Sequence, residues 1–108
     1  MKQIVYSPAA LARLSDIASY TWDQFGEAQA EAYLRRLSER LAALANGVGP
    51  KPRSCDLLMK GIRDDAGLTY IREGSHYLIL RDKPDVLQVV EIFHERMDID
   101  RHLHDLEF

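Results

Sequence analysis

The sequence is poor in the residues that mark secreted, membrane-bound and metal-binding proteins. Its 108 residues include one cysteine, Cys55, so no internal disulfide can form, and the small disulfide-stapled secreted domains are excluded. No apolar run approaches the roughly 20 residues that a membrane-spanning helix needs. The start, Met1 to Tyr6, is too short and too alternating for a signal peptide. We therefore expect a cytoplasmic protein without a membrane partner.

Patterns that would hold a cofactor or a catalytic group are also scarce. Gly47-Val48-Gly49 lacks the third glycine and the strand–helix context of a phosphate-binding loop. One cysteine and four dispersed histidines do not make a zinc site. Cys55 lies in an apolar-flanked segment that is typical of a small buried hydrophobe rather than a nucleophile. We expect no cofactor, no metal and no catalytic residue.

The composition is that of one ordinary globular domain. Hydrophobic residues make up 46% and charged residues 29% of the chain, which allows a modest core. The length fits a single domain spanning residues 1–108. The net charge of −3 argues against a protein whose main task is to grip a nucleic-acid backbone, because that binding depends on Lys and Arg.

A short strand and two helices are predicted in the first half of the chain. Residues 2–6 are rich in β-formers. Ser7-Pro8 supplies an N-cap and a first helical residue, and apolar residues then recur at helical spacing until Gly26 ends the helix. A second helix runs from Glu27 to Asn46, with leucines three and four residues apart on one face. The tight glycine turn makes the two helices an antiparallel hairpin.

The second half predicts a loop and three strands. Residues 47–60 contain glycines and prolines without periodicity and are expected to form the loop. Strands are predicted at Leu68–Glu73, His76–Asp82 and Val86–His94, and the short turns between them make them antiparallel. Residues 98–106 predict a short C-terminal helix or tail. The expected fold is therefore α+β, in the order β-α-α-β-β-β, with the helical hairpin packed on one face of a small antiparallel sheet.

Basic residues gather on or beside the three predicted strands, next to tyrosines. Such a combination on a sheet can bind a phosphate, or a carboxylate of a partner protein. The alternative is an ordinary solvated sheet face. Period-two alternation predicts which residues share a face. The basic residues are Lys60, Arg63, Arg72, Arg81, His94 and Arg96, and the predicted shared faces join Tyr70 with Arg72, Tyr77 with Arg81, and His94 with Val86, Gln88, Val90 and Ile92.

Short motifs along the chain resemble the ParE branch of the RelE/ParE toxins. Each motif is short, but their order and spacing cover nearly the whole chain. In the second half they are Gly61-Ile62-Arg63, the run from Tyr70 to Arg81, the run from Val89 to Asp98, and Leu103. In the first half they are Tyr6-Ser7-Pro8-Ala9-Ala10, Leu14, Ile17 and Trp22.

The resemblance implies the same fold that the residues predict, and it adds a function. Members of this branch are growth-arresting toxins of type II toxin–antitoxin, or plasmid stabilisation, systems, and they inhibit DNA gyrase without being enzymes. The resemblance therefore implies a ParD-like antitoxin that neutralises the toxin by direct binding in a hetero-oligomer. Operator DNA would be reached only indirectly, through the antitoxin.

The resemblance also suggests where the antitoxin binds. Antitoxins of this kind place a helix against the hairpin and an extended piece along the sheet. Apolar and aromatic residues there are the expected contacts, and for the aromatic ones the alternative is that they complete the toxin's own core. The candidates are Tyr20, Trp22, Tyr33, Leu37, Leu41, Tyr70 and Tyr77.

The RelE-like toxins, which cut mRNA on the ribosome, are the alternative branch. Such cleavage needs a base, an acid and cations. Arg72 falls where that branch keeps a catalytic arginine, but Leu103 stands about where it keeps a tyrosine. His94 or His102 would have to substitute. We therefore expect gyrase inhibition, with a member that has lost toxicity and only binds a partner as a third alternative. The residues expected to carry toxicity are Arg63, Arg72, Arg81, His94 and Arg96.

Overall fold

The structure, a computed structural model, describes residues 2–54 and 68–95. Both helices and the three long strands lie where the sequence predicts them, so the α+β fold is confirmed. The helix or tail expected at residues 98–106 lies outside the described residues. The elements are strand β1 (Gln3–Tyr6), helices α1 (Pro8–Phe25) and α2 (Glu27–Ala45), and strands β2 (Arg53–Ser54), β3 (Leu68–Glu73), β4 (His76–Asp82) and β5 (Val86–His94).

All five strands form one sheet in the order β1-β5-β4-β3-β2. Strands β3, β4 and β5 make the predicted antiparallel meander, and β1 lies parallel to β5 at one edge. A parallel pair needs a crossover connection, which begins here with the helical hairpin. The loop expected over residues 47–60 is interrupted by β2, whose Arg53 and Ser54 pair with Tyr70 and Thr69 at the other edge.

Hydrogen bonds of Ser7 connect the start of α1 to β5. Its Oγ accepts the N–H of Ala10 at 3.0 Å, as an N-cap does, and donates to the carbonyl of Val90 at 2.6 Å. Gly26, at φ +88°, then turns the chain from α1 into α2. The hairpin is thus tied to the sheet at its first turn. Neither of the two described helices is long and apolar enough to cross a membrane.

The main core lies between the helical hairpin and one face of the sheet, while Leu68, Ile79 and Phe93 are buried on the other face. Leu37 and Leu41 of α2 are only 2% and 1% exposed within the main core. This burial corrects the prediction that these two leucines contact an antitoxin, because their side chains have almost no surface to offer a partner. The other buried members of the core are Ala10, Ile17, Ala45, Ile71, Leu78, Leu80, Leu87, Val89 and Ile92.

A β-bulge in β5 changes which of its residues face the helices. The pairing with β4 passes from Val89 to Glu91, so Val90 is an extra residue in the ladder. The alternation beyond it is shifted by one position. The prediction that His94 shares a side with residues 86, 88 and 90 is therefore wrong, and only its placement beside Ile92 is correct. The side chains of β5 that face the helices are Leu87, Val89, Ile92 and His94.

Candidate functional site

A groove of about 760 Å³ opens between the helical hairpin and the ends of β4 and β5. We call it the hairpin groove. One wall is formed by side chains of α1, another by α2, and the strand ends contribute imidazoles and a carboxylate. Its volume is in the range of cavities that bind small ligands or the side chains of a partner segment. Its lining residues are Arg13, Asp16, Ile17, Tyr20, Thr21, Phe25, Gln29, Tyr33, Arg36, Ser75, His76, Ile92, His94 and Glu95.

Helix α1 leaves large apolar side chains exposed along the groove and beside it. Tyr20 and Phe25, which line the groove, are 64% and 65% exposed. Trp22 and Leu11, also on α1, are 52% and 54% exposed. A concentration of large exposed apolar side chains is typical of a surface that a partner covers. Of the predicted antitoxin contacts, Tyr20 and Trp22 are therefore accessible and do not belong to the core.

Tyr33 ties α2 to the turn between β3 and β4 inside the groove. Its hydroxyl donates to the carbonyl of Glu73 at 3.0 Å and lies 2.5 Å from Nδ1 of His76. Because the hydroxyl has one proton, Nδ1 of His76 is assigned as the donor in the second bond, which fixes the imidazole tautomer. The ring of His94 meets that of His76 edge-on at 5.2 Å, and the guanidinium of Arg36 lies 5.2 Å from the Tyr33 ring centroid.

Burial keeps His76 uncharged at neutral pH. Desolvation, and then the neighbouring His94, lowers the pKa of His76 from 6.5 to about 4, and the carboxylate of Glu95 opposes this only in part. Burial likewise raises the pKa of the Tyr33 hydroxyl. At pH 7 the Tyr33–His76 pair is therefore a neutral hydrogen-bonded link between a helix and the sheet.

Gly74, in the turn between β3 and β4, makes the approach of Tyr33 sterically possible. Its φ is +59°, a conformation that side-chain-bearing residues rarely adopt. A Cβ at this position would lie 2.7 Å from Cε1 of Tyr33 and 2.9 Å from its hydroxyl oxygen. The turn therefore requires glycine for two independent reasons.

Ion pairs flank the groove. The Nε of Arg13 lies 3.5 Å from Oε1 of Glu91, a carboxylate that is only 7% exposed as a residue. Glu95, at the end of β5, pairs with Arg72 of β3. With Arg36 on the wall formed by α2, the rim combines cations with carboxylates. The groove therefore suits a partner segment that carries both apolar and charged side chains.

The tyrosines and arginines of β3 and β4 lie on the sheet face turned away from the helices, which we call the outer face. The rings of Tyr70 and Tyr77 meet edge-on at 5.8 Å, and the guanidinium of Arg72 lies 5.5 Å from the Tyr77 ring centroid. Arg81 stands on the same face of β4 as Tyr77. The faces predicted for these four residues by alternation are thus confirmed.

The residues expected to carry toxicity do not form one cluster. Arg72 and Arg81 lie on the outer face, whereas His94 lines the hairpin groove on the other side of the sheet. Arg63 and Arg96 lie outside the described residues. Of the antitoxin candidates, Tyr20 and Tyr33 line the hairpin groove and Trp22 is exposed on α1 beside it. The others lie in the core (Leu37, Leu41) or on the outer face (Tyr70, Tyr77).

The groove also contains residues that no sequence motif marks for function, among them Arg13, Phe25, His76 and Glu95. For His76 the short turn before β4 predicts only that it begins this strand; the bulge at Val90 is what brings it opposite His94 in the ladder. Within residues 2–54 and 68–95 no three His, Cys, Asp or Glu side chains are grouped as metal ligands would be.

Residues 4–99 match the family described as ParE toxin of type II toxin-antitoxin system, parDE. Toxin ParE1 of Mycobacterium tuberculosis is 39% identical over 100 residues, which cover 90% of this chain and 93% of that relative. Toxin ParE of Escherichia coli is 31% identical over 106 residues, which cover 97% and 96%. The solved structure of a chromosomal ParDE TA system from P. aeruginosa matches with a TM-score of 0.63 over 87% of this chain and 96% of that chain, and its 17% identity makes it a likeness of fold.

Proposed function

Since this chain belongs to the ParE toxin family of type II toxin–antitoxin systems, we propose that it is a growth-arresting toxin neutralised by a ParD-like antitoxin that binds the hairpin groove. One observation carries the location of this site: the groove is bordered by large apolar side chains that the core leaves exposed. An amphipathic partner segment could bury them.

The groove offers a partner two kinds of contact. Tyr20 and Phe25 provide large aromatic surfaces with few rotatable bonds. Arg13 and Arg36 provide guanidinium groups that can pair with carboxylates. Arg36 is already held over the ring of Tyr33, so less conformational entropy is lost when it binds. We therefore place apolar antitoxin side chains against α1 and acidic ones near Arg36.

Substitutions on the wall formed by α1 test this site. Tyr20→Ala and Phe25→Ala should each weaken the affinity for the antitoxin roughly tenfold or more, as truncation of a central aromatic contact does. The melting temperature should hardly change, because both side chains are largely exposed. The measurement is calorimetric titration with the antitoxin encoded beside the toxin.

Val48→Ala is the matched control for these variants. Val48 is 60% exposed, but it is not among the residues that line the groove. Its substitution should leave the affinity unchanged. Full affinity in both aromatic variants, or an equal loss in the control, would place the antitoxin on another surface.

We further propose that the target is DNA gyrase and that the toxin acts by binding rather than catalysis. RNA cleavage of the RelE kind needs cations and proton-transfer groups around one phosphate. Here the sheet separates Arg72, which falls where the RelE-like branch keeps a catalytic arginine, and Arg81 from His76 and His94, because the two arginines lie on the outer face while the histidines face the helices. His76 is moreover uncharged and hydrogen-bonded to Tyr33. This separation supports the gyrase target over the nuclease, and a gyrase inhibitor acts in the cytoplasm.

A supercoiling assay tests the target. The purified chain should block supercoiling of plasmid DNA by gyrase and leave linear plasmid after denaturation, and added antitoxin should prevent both effects. Unaffected gyrase, together with mRNA cut in the ribosomal A site, would assign the chain to the RelE-like branch. Inactivity in both assays with tight antitoxin binding would make it a partner-binding member without toxicity.

A further inference from the structure

A second cavity, of about 340 Å³, lies at the β2–β3 edge of the sheet, between α2, the segment 50–53 and the outer face. We call it the sheet-edge pocket. Arg40, Lys51, Arg53 and Arg72 line it, and no carboxylate is among the described residues that do so. Because the whole chain has a net charge of −3, this grouping is a local segregation of positive charge.

The chain's own groups neutralise only part of that charge. Arg40 donates from Nη2 to a backbone carbonyl of the neighbouring loop at 3.0 Å, and Arg72 pairs with Glu95. Lys51 and Arg53 are exposed, and neither takes part in the ion pairs or side-chain hydrogen bonds found in the described part of the chain. Two cationic side chains are thus available to an anion at the mouth of the pocket.

Tyr70 and Tyr77 add an aromatic wall to the pocket. Their rings meet edge-on at 5.8 Å, and the guanidinium of Arg72 lies 5.5 Å from the centroid of Tyr77. Bases of nucleic acids stack on tyrosine rings and guanidinium planes, while nearby cations hold the phosphates. A carboxylate of a partner protein would use the cations alone. A nucleotide would use both the cations and the rings.

We propose that the sheet-edge pocket binds the phosphate of a nucleotide, with the base against Tyr70 and Tyr77. Arg53 and Lys51 hold the phosphate oxygens, and a guanidinium can donate two parallel hydrogen bonds to them. The volume of about 340 Å³ suits one nucleotide better than a folded partner element. The inference gives the toxin a nucleic-acid contact of its own. It depends neither on gyrase as the target nor on the hairpin groove.

The test is direct binding of a fluorescein-labelled oligothymidylate to the purified full chain, followed by anisotropy over a range of salt concentrations. Lys51→Ala and Arg53→Ala should each weaken binding several-fold. Each should also reduce the slope of log affinity against log salt concentration by about 0.7 for every phosphate that the variant no longer neutralises. The matched controls are Lys83→Ala and Arg35→Ala, because these exposed cations do not line the pocket. The controls should bind as the original chain does.

Substitutions at Tyr77 test the stacking. Tyr77→Leu should weaken binding roughly tenfold, whereas Tyr77→Phe, which keeps the ring, should retain most of the affinity. Thermal unfolding of each variant separates loss of binding from loss of fold. The variants at the exposed Lys51 and Arg53 keep the test valid if Tyr77→Leu does not fold.

Competition with ATP and with inorganic phosphate identifies the source of the nucleotide. Stronger binding of the oligonucleotide assigns the pocket to a polynucleotide, and stronger binding of ATP assigns it to a free nucleotide; both support the site. Absence of binding at low salt, or equal losses in the variants and their controls, would overturn it. So would variants at Lys51 and Arg53 that bind the oligonucleotide normally but lose affinity for the antitoxin, because the pocket would then be a protein interface.

Discussion

Acidification should destabilise this protein through His76. Burial, and then His94, lowers the pKa of His76 from 6.5 to about 4 in the folded chain, whereas an imidazole in the unfolded chain titrates near about 6.5. Above pH 6.5 the imidazole is neutral in both states and contributes nothing to the pH dependence. Between pH 6.5 and about 4 the unfolded chain binds a proton that the folded chain does not, so the free energy of unfolding falls as the pH falls.

The size of this loss follows from the two pKa values. The interval from 6.5 to about 4 sets a ceiling of about 3 kcal/mol. His76 is only partly buried, so solvent screens the charge, and we expect a loss of about 1–2 kcal/mol that is complete near pH 4. In a domain of this length such a loss lowers Tm by roughly 5–10 °C.

Urea unfolding of the original chain and of His76→Asn, at several pH values between neutral and about pH 4, measures the effect. Asparagine can still donate a hydrogen bond to Tyr33 near the position of Nδ1, but it does not titrate. Because only residue 76 differs between the two proteins, the difference between the two curves reports the contribution of His76. That difference should change by about 1–2 kcal/mol on acidification. Parallel curves, or an NMR titration that gives His76 an ordinary pKa, would show that the imidazole does not make stability depend on pH.

Two further predictions concern the contacts at Gly74 and Ser7 that hold the helices against the sheet. Gly74→Ala should destabilise the fold by about 1–2 kcal/mol more than Gly47→Ala in urea unfolding. Both residues have positive φ, but only at Gly74 would a Cβ collide with Tyr33, and equal losses would show that the collision is relieved at no cost. Ser7→Ala removes an N-cap and the bond to β5 and should cost about 1–2 kcal/mol. Ser15→Ala, at an exposed position of α1, should stay within about 0.5 kcal/mol, and a Ser7 variant of equal stability would contradict the role of the cap.

The helices and the long strands could be predicted because each carries its own boundary signals. Ser7-Pro8 and Gly26 delimit α1, and the turns Glu73-Gly74-Ser75 and Lys83-Pro84-Asp85 separate the strands of the meander. These signals act over a few residues, through caps, positive φ and missing N–H groups. A single sequence is therefore enough to read them.

The pairing of β1 and the bulge in β5 could not be read in the same way. Gln3 pairs with Val86, and no local sequence signal near Gln3 indicates a partner so distant in the chain. The extra residue of the bulge is Val90, an ordinary strand-forming residue rather than the glycine that often marks irregular strands. Alternation therefore assigns the candidate residues before the bulge to the correct face, and it fails for His94 beyond it.

That one extra residue determines which chemistry the two faces of the sheet can support. Strict alternation would have put His94 on the outer face with Arg72 and Arg81, and so placed a proton-transfer group beside the cations that a cleaved phosphate needs. The bulge at Val90 instead turns His94 toward the helices, where it packs against the uncharged His76. The outer face keeps its arginines beside tyrosine rings, a combination suited to holding an anion. The bulge therefore keeps His94 apart from Arg72 and Arg81, the two described arginines expected to carry toxicity, although histidine and arginine are both present in the same sheet.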